Sequence, residues 1–367
     1  MVKRHSATAA LAAAFMLPAI SAGAQNTDPV VIGVLADLSG AYTDTYPASL
    51  ILAAEMAIED VGGKVGDRPI KLLSADMLQK VDVTTSIARE WIDNQGADII
   101  LGVPNSSAAI AVTDLVREKD KVFISTSAGS TAITGANCSP NTIAWSWDNY
   151  AVSRPISRYM VEQGFKDWFY LTADYTFGHN LEELSSAMVT EAGGKVLGAI
   201  RQPLGIVDQS SAILQAQGAN PQVIGIASAG GDLENALKQL AEFGVVAQGI
   251  KPVPFTLHLT NIKALGLNAT QGMRVANSWY WDMNEESRKW SERFMQRSGG
   301  IAPTYHPASV YSALINYFRT LEASPSESGA EIVKAMASAP TSDILFGEGQ
   351  ILPNGRRINP MYVFEVK

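Results

Sequence analysis

The sequence carries a single cysteine, Cys138, and only four histidines in 367 residues. One thiol cannot close a disulfide within the chain, so stability has to come from core burial. A free, partly buried thiol is the expectation for Cys138, ahead of a nucleophile. So few imidazoles and thiols leave little from which to build a metal centre or a Ser/His engine. His179-Asn180-Leu181-Glu182 lacks the second histidine of a zinc-protease helix, and Gly62-Gly63-Lys64 is not a Walker loop. A Gly-x-Ser-x-Gly elbow is also missing. The chain therefore reads as a non-enzyme, with no catalytic residue, no metal site and no cofactor.

Positive charge is scarce as well: 28 Lys and Arg stand against 36 Asp and Glu, a net of −8. An acidic chain without a basic stripe does not suit nucleic acid, whose phosphates need clustered Lys and Arg. No segment after the N-terminus approaches the ~20 apolar residues of a membrane span. The N-terminus itself reads as an address. Lys3 and Arg4 precede the apolar run 9–17, Pro18 breaks it, and Ala22-Gly23-Ala24 supplies small residues for cleavage. Cleavage after Ala24 leaves 26 bases against 36 acids, a net of −10. With no Cys after the apolar run, a lipid anchor is not expected; a soluble monomer beyond the inner membrane is.

What is present is a strand–helix alternation. Val30 to Leu35 is a continuously apolar run, the pattern of a strand buried on both faces of a parallel sheet. The helical stretch 48–61 follows and stops at Gly62-Gly63. Strand 70–75, helix 81–95, strand 97–102, helix 106–119 and strand 122–125 continue the series. After an irregular stretch, 137–149, the rhythm resumes. Helices 152–163, 179–191, 210–217 and 233–243 alternate with strands 168–171, 195–199, 223–226 and 253–256. Such alternation predicts doubly wound α/β sheets. The tail differs, with helices 284–299, 308–323 and 331–336, then a hairpin over 346–366 turning at Pro353-Asn354-Gly355.

About 340 residues exceed one comfortable core, so two lobes are expected. The predicted division is a signal peptide over 1–24, a first lobe of 25–147 plus 276–345, and a second of 148–275 plus 346–367. The chain would cross between lobes near Trp147, near Val275 and near Phe346. A strand over 273–281 would form one crossing, and a hinge would lie beneath a cleft that both sets of strand ends face.

Val31-Ile32-Gly33 with Leu38-Ser39-Gly40, then Gly62-Gly63, residues 102–107, residues 174–178, and Asn354-Gly355-Arg356 follow one another along the chain. In the order and spacing of these motifs the chain resembles the periplasmic leucine/isoleucine/valine-binding family, the type I fold of ABC substrate-binding proteins. Residues 173–179 and 277–282 are most similar to a proteobacterial branch associated with aromatic acids. The resemblance implies a solute receptor that closes on its cargo and docks on an ABC permease. A sensor module that regulates a partner is the competing class.

The resemblance also implies a site. In Pro104-Asn105-Ser106-Ser107 the family places a hydroxyl, here Ser106, on the ligand carboxylate. The free amides and dipole of a helix N-terminus favour an anion there, although Ser106 as a mere cap is the plainer reading. The loop holding Ser127, Ala128 and Gly129 would supply backbone groups. Its hydroxyl would come from Ser127 or Ser130, because Gly129 stands where Thr is common. Tyr42 and Asp44 would close the pocket from the first lobe, and Tyr175, Phe177, Asp232 and His258 from the second. Asp232, at a helix start, also fits a cap. Trp279-Tyr280-Trp281, if extended, puts 279 and 281 on one face, where Trp281 either stacks on an aromatic ligand or packs in the hinge.

One departure bears on the cargo. Amino-acid binders of the family carry an acid after the strand read at 253–256, whereas Leu257-His258-Leu259-Thr260 stands here. Ala229 likewise replaces a typical aromatic residue. A buried ammonium without an anionic partner is costly. Either Asp44, Asp174 or Asp232 supplies that partner, as in a branched-chain or apolar amino-acid receptor, or the cargo is a small, aromatic carboxylate with no ammonium. The second reading is favoured.

Overall fold

The computed structural model describes residues 1–2, 27–43 and 49–367. The expected signal segment 3–24 and Asp44 lie outside the described residues. Among the described residues no helix is long and apolar enough to cross a membrane.

The first lobe opens with β1 (Val30–Ala36), α1 (Ser49–Asp60), β2 (Lys64–Val65) and β3 (Arg68–Asp76). It continues with α2 (Val81–Gln95), β4 (Ile99–Gly102), α3 (Ser106–Lys119), β5 (Val122–Ser125) and β6 (Thr142–Ala144). These strands form one sheet in the order β2-β3-β1-β4-β5-β6, parallel except at β2. Every residue of β1 is buried, as its unbroken apolar run requires.

The second lobe holds α4 (Asn149–Glu162), β7 (Asp167–Ala173), α5 (Thr176–Glu191), β8 (Lys195–Gln202) and α6 (Ser210–Gly218). After these come β9 (Val223–Ala227), α7 (Gly230–Glu242), β10 (Lys251–Pro254), α8 (Leu259–Leu265), α9 (Leu267–Thr270) and β11 (Arg274–Asn277). Its parallel sheet runs β10-β9-β7-β8. The chain then returns to the first lobe through α10 (Glu285–Arg297), α11 (Tyr305–Ala323) and α12 (Gly329–Ala337). Arg293 and Arg297 of α10 pair with Asp60, Glu55 and Glu59 of α1, and Tyr311 of α11 donates to Asp60. The last strands are β12 (Thr341–Asp343), β13 (Gly347–Ile351), β14 (Arg357–Ile358) and β15 (Tyr362–Glu365).

Two connectivities fix where a ligand can sit. β1 lies between β3 and β4, and β7 between β8 and β9. At each of these points successive connections leave in opposite directions, and a crevice opens at the carboxyl ends of the strands.

Several expectations need correction. The turn at Leu352–Arg356 forms as predicted, but the hairpin β13–β14 belongs beside β6. The Ala144 N–H donates to the Gly355 carbonyl at 3.0 Å, and Asn354 donates to Thr134 at 2.8 Å. Only β15 reaches the second lobe, antiparallel to β11. The crossing expected at Phe346 therefore falls between β14 and β15. β11 ends at Asn277, so Trp279 and Trp281 do not alternate along a strand. Trp279 is buried against Trp290 at 5.8 Å, and Trp281 lies against Tyr280 at 6.0 Å. Leu259, read as part of a strand-end run, begins a helix, and Cys138 is exposed.

Candidate functional site

The loops at the two crevices face each other, and the lobes touch across them. After β4, Gly102 and Val103 both take positive φ, +87° and +55°. A β-branched residue there is strained, and strain of this kind concentrates at functional sites. The turn is held by the Val103 N–H on the Leu35 carbonyl, at 2.9 Å, and it aims the chain into α3. Asn105 caps α3 by accepting from the Ala108 N–H at 3.0 Å. By helix geometry the N–H groups of Ser106 and Ser107 have no intrahelical acceptor, which leaves a positive concavity. Ser106 is buried, and its hydroxyl accepts from the Ser130 N–H at 3.2 Å. That bond ties the α3 terminus to the loop of Ser127, Ala128 and Gly129.

Gly129 explains itself here. A Cβ on it would lie 2.5 Å from the Trp147 ring, so the Thr common in related chains has no room. Trp147 is the hub of a buried aromatic wall that the sequence reading missed. Its ring meets Phe177 at 6.4 Å, Tyr305 at 5.6 Å and His306 at 5.4 Å. Tyr175 stacks beside Phe177 at 5.9 Å, and its hydroxyl bonds that of Tyr42 across the cleft. His258 completes the far end, 5.3 Å from Tyr305 and 5.1 Å from His306. His306 Nδ1 lies 3.4 Å from the Thr126 carbonyl oxygen, which joins this wall to the serine loop. Trp147 was placed at a crossing and Tyr305 just ahead of a predicted helix. The Pro307 of that helix sits in its first turn, where proline is tolerated, and this was the available signal for an earlier start.

Further contacts bridge the lobes. Ser107 and Thr176 share a hydroxyl bond at 2.8 Å, and Thr131 donates to Asn180 at 3.0 Å. The Gly231 N–H, at the head of α7, donates to the Ala41 carbonyl at 3.0 Å.

Four ionisable groups define the electrostatics. Burial lowers His258 to about 4, so its imidazole is neutral at pH 7. Burial, with His258 nearby, lowers His306 also. Burial raises Asp232 to about 6, opposed by the backbone amides of Gly205 and Ile206. The Gly205 N–H donates to the Asp232 carboxylate at 3.1 Å, so this residue braces a second-lobe loop in addition to heading α7. Burial also drives the Tyr175 phenol upward, so it stays protonated. Asp174 is held apart from the wall, exposed and 2.7 Å from His179.

Tyr42, Asn105, Ser106, Ser107, Ser127, Ala128, Gly129, Tyr175, Phe177 and His258 thus lie on linked loops of the cleft. Trp281 lines, with His258 and Tyr305, a cavity of about 400 Å³ that adjoins the aromatic wall. Among the described residues no cluster of three or more His, Cys, Asp or Glu could hold a metal.

A family model described as periplasmic binding protein matches residues 29–367. A crystal structure of a periplasmic binding protein from Burkholderia mallei is 37% identical, with 93% of this chain and 90% of that one covered and a TM-score of 0.90. A branched chain amino acid ABC transporter periplasmic ligand-binding protein from Burkholderia xenovorans LB400 is 33% identical, covering 92% and 90%, at a TM-score of 0.79. A solute-binding protein of an R. palustris ABC transporter, solved with benzoate, shares the fold at 22% identity, with 92% and 93% covered and a TM-score of 0.82. With nearly the whole described chain matched and relatives above 30% identity, the protein belongs to the periplasmic binding protein family.

Proposed function

We propose that the chain is the periplasmic receptor of an ABC importer, non-enzymatic, which closes its lobes on a small carboxylate with an aromatic body. In this reading the lobes are residues 25–147 with 276–358, and 148–275 with 359–367. The carboxylate sits at Ser106 and the first amides of α3, and Tyr175, Phe177 and Trp147 surround the ring. The neutral His258 carries the reading. It stands in the run 257–260, in the region where amino-acid binders of the family set an acid and where the resemblance implies Leu259 as the replacement. A buried, uncharged imidazole beside that leucine cannot balance an ammonium. The fold accommodates benzoate in the R. palustris protein, at an identity that speaks to the fold alone.

The competing cargo is an apolar amino acid, with Asp232 as the ammonium's partner; its support is the B. xenovorans relative, a branched chain amino acid ABC transporter periplasmic ligand-binding protein. Calorimetry separates the two. Benzoate or 4-hydroxybenzoate should bind at least about tenfold tighter than leucine or phenylalanine, a gap of about 1.4 kcal/mol. Ser106→Ala should weaken benzoate binding by about 1 to 3 kcal/mol, the cost of losing a hydrogen bond to a charged group. Tighter binding of the free amino acids would overturn the cargo assignment and point to Asp232.

A further inference from the structure

A recess of about 950 Å³ opens in the second lobe, at the amino ends of its strands. Its volume falls within the range of about 300 to 1,000 Å³ typical of small-molecule sites. Phe165 precedes β7, residues 244–247 precede β10, and residues 268–273 lead into β11. The cleft lies at the opposite, carboxyl ends of the strands, and none of the cleft residues named above lines this recess.

The lining is apolar, with positive charge and no negative charge at its edge. Ile156 and Val253 are buried, while Tyr159, Met160, Phe165 and Met273 are half-buried. Two thioethers beside two aromatic rings make a yielding apolar surface, suited to a flexible chain. Among the described residues no acid lines the recess, in a chain whose acids outnumber its bases by 36 to 28. The charged lining groups are Arg274 and Lys251, and they differ. Arg274 lies over the Tyr159 ring at 4.7 Å and pairs with Glu365 at 2.7 Å, so its charge is already answered. Lys251 Nζ lies 5.9 Å from the centre of the Phe165 ring and has no ion pair among the described residues. An ammonium held over a ring at the edge of an apolar recess complements a carboxylate that ends an apolar chain.

We propose that this recess is a second binding site, for an amphipathic monocarboxylate such as a medium-chain fatty acid, whose head group meets Lys251 and whose chain lies along Phe165, Met160 and Met273. It is distinct from the cleft and does not depend on what the cleft carries. Octanoate and octylammonium probe it, since they share a chain and differ in the sign of the head group. In the intact wild-type protein, octanoate should shift the methyl resonances of Met160 and Met273 along one saturating curve. Ser106→Ala should leave that curve unchanged, which separates the recess from the carboxylate site of the cleft. Octylammonium should bind about threefold more weakly or worse, the scale of a single exposed charge contact. Lys251→Glu changes an exposed side chain and should invert the order of the two ligands. Silent Met160 and Met273 resonances at millimolar octanoate, an order of head groups that survives in Lys251→Glu, or loss of the curve in Ser106→Ala would each overturn the proposal.

Discussion

At the scale of single residues, the titrating groups of the cleft pull in opposite directions with pH. His258, lowered to about 4 by burial, is neutral when folded, whereas the unfolded chain takes up its proton near 6.5. Its contribution to stability is therefore intact above 6.5 and falls away as the pH drops toward 4. Asp232, raised to about 6, behaves in reverse. Its carboxylate destabilises the fold above 6, and that cost is relieved as the pH falls from 6 toward the unfolded value near 4. Urea unfolding should show Asp232→Asn more stable than wild type at pH 7.5 by about 1 to 3 kcal/mol, with the gap closing by pH 4. His258→Asn, which keeps a capping side chain at the head of α8, should lose less stability between pH 6.5 and 4.5 than wild type does. Parallel pH curves for all three proteins would refute this assignment.

Residues of this kind were partly legible in the sequence. Ser106, Ser127, Tyr175 and His258 each follow a recognisable strand, and strand ends are where α/β folds bind. Trp147, Tyr305 and His306 were not legible as a site. Nothing local marks them, because the chain brings them together only by crossing twice between lobes.

At the scale of elements, helices with clear stops were read almost to the residue. α2 ends at Gly96, whose φ of +72° a side chain would resist, and α3 ends at Asp120, with a φ of +50°. What escaped were elements defined by distant partners. β6 is three residues long and is a strand because it pairs with β5. The turn at Pro353-Asn354-Gly355 is legible, but the hairpin expected over 346–366 closes only as β13–β14, with β15 pairing elsewhere. Its place is set by the Gly355–Ala144 contact, which lies outside local pattern. The head of α7 offers the sharpest test at this scale. Gly230 has a φ of +58°, and a Cβ there would lie 2.5 Å from the Ala41 carbonyl oxygen of the opposite lobe. Gly230→Ala should weaken cargo binding about tenfold, roughly 1.4 kcal/mol, because the lobes can no longer approach fully. Calorimetry reads this directly, and an affinity within twofold of wild type would contradict the role given to α7.

At the scale of the whole molecule, the account depends on two bodies that share a cleft. Within each lobe, the parallel sheet is covered by helices on both faces and carries its own core. Between them lie polar contacts, such as Ser107 with Thr176, Thr131 with Asn180 and Ala41 with Gly231, and the aromatic wall in which Phe177 and His258 of the second lobe meet Trp147, Tyr305 and His306. In the proposed closure, cargo selects the form in which these contacts are made. The three connections near Trp147, after β11 and between β14 and β15 would form the hinge of that closure. Small-angle scattering of the protein alone and saturated with the tightest-binding acid tests this claim most directly. Capture between closing lobes predicts a smaller radius of gyration in the saturated protein, and an unchanged radius at saturation would contradict it.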